Sequence, residues 1–187
     1  IALNLKAVAY ERVEISIIAG DQKSDAYLAM NAQGLVPLLK IGDEVIIQSL
    51  AIIDWLDRQY PEPRLIPEEP MARAVALAQA QLVIADIHPL QNTRVLKYLS
   101  RDLGLNEQVK QRWIAHWMLE GFDALEAMAG DGPYLGGDRP SIADCALVPQ
   151  MNNARRYDVE LHHFPRLLEI EAACMALPAF QEAHPDA

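Results

Sequence analysis

Two domains of unequal size are expected of these 187 residues: a small α/β unit, then an all-α unit beyond a proline-rich linker. Three features point there. Short β-branched runs and a hairpin signal are confined to the first sixty residues. Four prolines crowd Pro61 to Pro70 without any apolar period, which is how a linker reads. Past that point the apolar residues recur at helical spacing.

The elements follow in chain order. Ile1 to Val8 reads as the end of an amphipathic helix; it has no cap before it and no basic leader, so it is not a signal peptide, and an upstream segment is expected. Glu11 to Ile18 alternates apolar and polar residues, which predicts a short strand. Gly20 to Ala32 is polar and predicts a loop with a short helix around Tyr27–Met30. Val36–Ile41 and Val45–Ile47 flank Gly42-Asp43-Glu44, a hairpin signal. Ser49 opens a helix carrying Leu50, Ile53 and Leu56, and Pro61 stops it. The helical part begins with an Ala- and Leu-rich run from Met71 to about Ile87, which Pro89 should bend or break before it resumes through Arg94–Leu99. Asn106 is the expected N-cap of a helix bearing Val109, Trp113, Trp117, Leu125 and Met128. Ser141-Ile-Ala-Asp144 is close to a capping box, and a last helix runs from Arg166 to about Met175. The expected boundaries are 1–61, a linker over 62–70, and 71–187.

Composition narrows the function. With 51% hydrophobic residues the chain can build a core. Its net charge is −10, so its overall field disfavours nucleic acid and anionic membrane. An anion would need a local group of basic side chains. No apolar run approaches the roughly 18–20 residues of a membrane span. Cys145 and Cys174 make neither a disulfide framework nor a zinc pattern, and read as two buried thiols in a reducing compartment.

Four stretches carry chemistry. Pro37 follows Val36 where a strand should begin, so it belongs at an edge position or in a cis turn; in the latter, Val36 can offer its backbone to a peptide ligand. Gln48-Ser49 lies between strand and helix, where a Ser N-cap and the helix dipole suit a carboxylate. His88, Gln91, Asn92, Thr93 and Arg94 form a polar stretch around Pro89 in an otherwise apolar helix, and buried polar groups need partners. Arg155-Arg156 could place one guanidinium fork on a carboxylate. Each alone also fits an ordinary cap, loop or solvated face. No catalytic-triad order, glycine-rich phosphate loop or His/Cys metal cluster is present in the sequence.

Taken together, Leu35-Val-Pro-Leu38, Gln48-Ser-Leu-Ala-Ile-Ile53 and Ser141-Ile-Ala-Asp144 resemble the cytosolic glutathione transferases. Ile1–Lys6, Pro63–Pro67, His88–Asn92 and Leu147–Gln150 resemble the zeta class, and the likeness runs over nearly the whole chain. The resemblance implies a thioredoxin-like N-terminal domain, lacking its leading strand, and a helical C-terminal domain. It implies glutathione as cofactor, a homodimer, a cytoplasmic location, and isomerisation of maleylacetoacetate in aromatic amino acid breakdown. Maleylpyruvate isomerisation, general conjugation of electrophiles and a non-catalytic binding module are the alternatives.

Residue by residue, the resemblance implies that Val36 pairs its backbone with the cysteinyl part of glutathione, while Gln48 and Ser49 hold the γ-glutamyl carboxylate. Gln22 falls at a further glutathione contact, and His88, Asn92, Thr93 and Arg94 match the helical stretch that reaches the active site. Arg156, with Arg94, is implied to receive a carboxylate of a small dicarboxylate substrate. The family's thiol-activating serine motif would lie upstream of Ile1.

Overall fold

In the computed structural model, which describes residues 1–187, Gly42 takes a φ of 59° and turns the chain between β1 (Leu38–Ile41) and β2 (Glu44–Ile47). A glycine suits that turn because a side chain there would be strained. The strands pair antiparallel, with Leu38 opposite Ile47 and Ile41 opposite Glu44. This hairpin belongs to the first of two compact units, Ala2–Arg64, which also holds α1 (Ala2–Leu5), α2 (Asp25–Met30) and α3 (Ser49–Gln59). Ser24 caps α2 by accepting the Tyr27 N–H. Lys6 stands just past α1 and is 6% exposed. Its ammonium lies 2.6 Å from Asp57 of α3 and donates to the carbonyls of Tyr60 and Pro63 at 2.7 and 2.8 Å. A buried cation needs this number of acceptors to offset its lost hydration.

The alternating stretch Glu11–Ile18 forms no strand, contrary to the pattern. Alternation prescribes which side chains face inward, but a strand also needs a neighbour to accept its backbone bonds. Here β1 pairs with β2 alone. A cavity of about 750 Å³ is lined by Val13 and Ile15 from that stretch, by Tyr10 just before it, and by Leu39, Ile41 and Leu56. Val13 and Ile18 are 70% and 93% exposed.

The second unit, Leu65–Ala187, is helical. Leu65 and Ile66, in the segment expected to be linker, are each 1% exposed, and the Ile142 N–H donates to the Leu65 carbonyl at 2.9 Å. Glu69 caps α4 (Pro70–Gln81) by accepting from the Met71 and Ala72 N–H groups. The break expected at Pro89 takes a definite form. Leu82–Ile87 widens into a π-helix, in which the His88 N–H reaches back five residues to Val83, and His88–Gln91 tightens into a 3₁₀ turn before α5 (Thr93–Arg101). Proline has no N–H to continue the α-helical ladder, and a change of helical pitch re-pairs the neighbouring groups.

Asn106 caps α6 (Glu107–Met128) as expected, its side chain accepting from Val109 N–H at 2.9 Å. The centre of the unit is α7 (Ile142–Arg156), which buries Ile142, Ala143, Leu147, Val148, Met151 and Ala154. A helix apolar over this much of its circumference must be surrounded by others. Its start is the Ser141–Asp144 capping box. Asp144 is fully buried and accepts from the N–H groups of Leu135, Gly136 and Ser141 and from the Ser141 hydroxyl. Burial pushes its carboxyl above the usual range, against the pull of those four donors. The chain ends with α8 (Pro165–Met175) and a short α9 (Pro178–Gln181), and Phe122 meets Phe164 edge to face at 5.5 Å.

Candidate functional site

The Val36–Pro37 peptide is cis, which decides between the two positions its sequence allowed. The Leu35 carbonyl just before it accepts from the Tyr27 hydroxyl at 2.7 Å and the Asn31 amide at 2.8 Å. Both donors are nearly buried, so the turn is fixed from beneath while Val36 itself is 40% exposed. The same network reaches Gln48. Asn31 accepts the Gln33 N–H, and the Gln33 side chain accepts from Gln48 at 2.9 Å. Val36 and Gln48, twelve residues apart in sequence, are therefore positioned by one chain of hydrogen bonds.

Gln48 has a φ of 73° and a ψ of 124°, a strained backbone for a residue with a side chain. It also corrects the expected cap. Gln48, not Ser49, stands at the N-cap of α3; Ser49 is the first helical residue, and the Gln48 side chain makes no capping bond. The first intrahelical bond runs from the Ile52 N–H to the Gln48 carbonyl. The N–H groups of Ser49, Leu50 and Ala51 thus end the helix without an intrahelical acceptor, and the first turn contains no acid. That end of the dipole, with the Ser49 hydroxyl beside it, suits a carboxylate. Gln22 sits in a 3₁₀ turn (Asp21–Lys23), where its amide donates weakly to Ile17 and its carbonyl oxygen is buried without a partner.

In the helical unit, His88, Asn92, Thr93 and Arg94 fall together where the π-helix gives way to α5. His88 is exposed as a residue, and the partial desolvation of its ring lowers its pKa. Asn92 is the N-cap of α5: its oxygen accepts the Arg94 N–H at 3.1 Å, leaving the amide NH₂ as its free donor. Thr93 and Arg94 are exposed in the first turn, and the Arg94 guanidinium makes no ion pair. At the end of α7 the two arginines separate in role. Arg155 forms a two-pronged pair with Glu171 of α8, whereas Arg156 is exposed, with its guanidinium 6.0 Å from the Tyr157 ring centre and no carboxylate partner. Glu160, His162 and His163 also converge in the α7–α8 loop, their ligand atoms within 4.8 Å of one another, though all three are exposed.

The side chains that support Leu35 and Gln48 carry no sequence signal. Tyr27 in α2, and Asn31 and Gln33 just beyond it, carry no motif, and only folding brings them to Leu35 and Gln48. Nothing in Arg155-Arg156 says which arginine Glu171 occupies, because that partner is 16 residues away.

Residues 1–64 match the pattern of the glutathione S-transferase N-terminal domain, and residues 107–184 that of the C-terminal domain. The maleylacetoacetate isomerase of Pseudomonas aeruginosa is 43% identical over 188 residues, covering 99% of this chain and 88% of its own length. A holo structure of maleylpyruvate isomerase, described as a bacterial zeta-class glutathione S-transferase, superposes with a TM-score of 0.95 at 43% identity, over 100% of this chain and 92% of that one. The maleylacetoacetate isomerase of Anaeromyxobacter dehalogenans, solved with dicarboxyethyl glutathione and citrate in its active site, has a TM-score of 0.87 at 36% identity, over 99% and 83% of the two chains.

Proposed function

The chain belongs to the glutathione S-transferase family, in its zeta class, and on that premise we propose that it is a glutathione-dependent cis–trans isomerase of maleylacetoacetate. The observation that carries this reading is the uncapped, acid-free α3 N-terminus at Gln48-Ser49; the helical unit, described by itself, presents Arg156 without an ion-pair partner. The first is a carboxylate site suited to the γ-glutamyl end of glutathione, and the second a guanidinium available to a dianionic substrate.

The residues present fit glutathione. The Gln48 side chain donates to Gln33, whose N–H donates to Asn31, so that Gln48 is oriented at the start of α3. Val36, an exposed residue beside the cis bond, offers its main chain to the cysteinyl segment in this reading. Gln22 and the His88–Arg94 turn are further contacts in this reading. Bound glutathione supplies a thiolate whose reversible addition across the cis double bond leaves a single bond free to turn. Arg156, with Arg94, holds a substrate carboxylate and places fixed positive charge where negative charge develops. The His88 imidazole in its neutral form offers one donor and one acceptor nitrogen, with which it can orient a polar group or take up a proton.

A homodimer and a cytoplasmic location complete the reading. Met71 and Val75, one turn apart on α4, are 70% and 44% exposed, an apolar strip of the kind a second copy covers. Cys145 and Cys174 are unbridged, and no helix is long and apolar enough to cross a membrane. The test is isomerisation of maleylacetoacetate and of maleylpyruvate by the full chain, with and without glutathione. Turnover that requires glutathione and favours maleylacetoacetate is expected. Preference for maleylpyruvate would reassign the substrate, and conjugation of electrophiles without isomerisation would overturn the reaction.

A further inference from the structure

Gly121 lies in the interior of the 22-residue α6, where glycine is a poor choice by propensity. The reason is steric. A Cβ at this position would stand 2.2 Å from Cγ1 and 2.4 Å from Cδ1 of Ile87, and 3.4 Å from Cδ2 of Leu82. Those are the last and first residues of the π-helix. A π-helix is wider than an α-helix, and the missing side chain makes a notch in α6 that admits it. Ile87 is fully buried, and Cγ1 can move only through χ1, which β-branching restricts. A methyl group at residue 121 would therefore displace the backbone rather than rotate a side chain.

Two turns earlier on α6, the Trp113 indole N–H donates to the Leu90 carbonyl at 2.7 Å. The segment is thus located at two points: Ile87 in the notch and Leu90 on the indole. His88 lies between them, and Asn92 to Arg94 follow directly. We propose that Gly121 is a positioning residue, whose notch sets the placement of the His88–Arg94 turn through Ile87. Its link to glutathione rests on the function proposed above; its link to the turn does not.

The Trp113 indole N–H gives a readout independent of activity. In Gly121→Ala we expect its resonance to shift and its hydrogen exchange to speed up, while the indole of Trp55 in the other unit is unchanged. Glutathione affinity should fall roughly tenfold, equivalent to about one hydrogen bond. Adding Ile87→Ala empties the space the new methyl needs. The double variant should therefore match Ile87→Ala alone, within about twofold, in both readouts. If Gly121→Ala does not fold, a folded double variant with a protected Trp113 indole carries the same conclusion. An unshifted indole in Gly121→Ala, or a double variant no better than Gly121→Ala, overturns the proposal. A displaced indole with unchanged glutathione affinity upholds the notch and removes His88–Arg94 from the glutathione site.

Discussion

Arg155 and Arg156 are neighbours with opposite expected phenotypes. Arg155→Ala strands Glu171, whose side chain is 10% exposed, and should lower stability by about 1–3 kcal/mol in denaturant titration. Arg156→Ala touches no ion pair and should stay within about 0.5 kcal/mol in stability. Its kcat/KM for the dianionic substrate should drop about tenfold or more; unchanged kinetics would release it from the site. Ser49→Ala should weaken glutathione about tenfold by isothermal titration with the far-UV spectrum unaltered. For His88 the sign is definite. Its folded-state pKa is lowered, so its contribution to stability is present above the ordinary histidine value of 6.5 and is lost as pH falls through the folded value. Wild type should therefore lose more stability than His88→Gln between pH 7.5 and pH 5, and parallel pH profiles would contradict the desolvated ring. Side-chain identity made these residues visible in the sequence, but their partners were hidden because they come from distant segments.

At the level of the element, local signals were most legible where the chain satisfies itself. Ser141 and Asp144 cap their own helix from three residues apart, so the sequence pattern and the structure agree. Asp144→Ala leaves three N–H groups and the Ser141 hydroxyl without that acceptor, and should cost about 3–5 kcal/mol by thermal or urea unfolding. A loss below 1 kcal/mol would mean that water replaces the carboxylate. Pro89 announced a break, but not that the break would be a π-helix followed by a 3₁₀ turn, with the π-helix packed against a glycine of α6 that lies 34 residues along the chain from Ile87. Glu11–Ile18 is the opposite case. Its alternation is genuine, yet pairing is a property of two segments, and one segment's pattern cannot supply the second.

Over the whole molecule, the division into an α/β part and a helical part was readable from where periodicity changes. The place where the chain passes from one to the other was not, since Leu65 and Ile66 look like linker among prolines and are buried all the same. The N-terminal unit is closed by a feature that no motif reports: the Lys6 ammonium joins the end of α1 to Asp57 and to the carbonyls beyond α3. Lys6→Met should destabilise this unit by about 1–3 kcal/mol, because the buried ammonium contacts to Asp57 and to the Tyr60 and Pro63 carbonyls would be lost together. A change under 1 kcal/mol in its unfolding would show that the methionine packs as well as the ion pair. The same burial makes Lys6 a chemical clock. An amine-acylating reagent can reach Lys23, Lys40 and Lys97 on the surface at once, but can modify Lys6 only during moments when its three partners let go. The lag between them, read by mass spectrometry, measures how often this unit opens under native conditions.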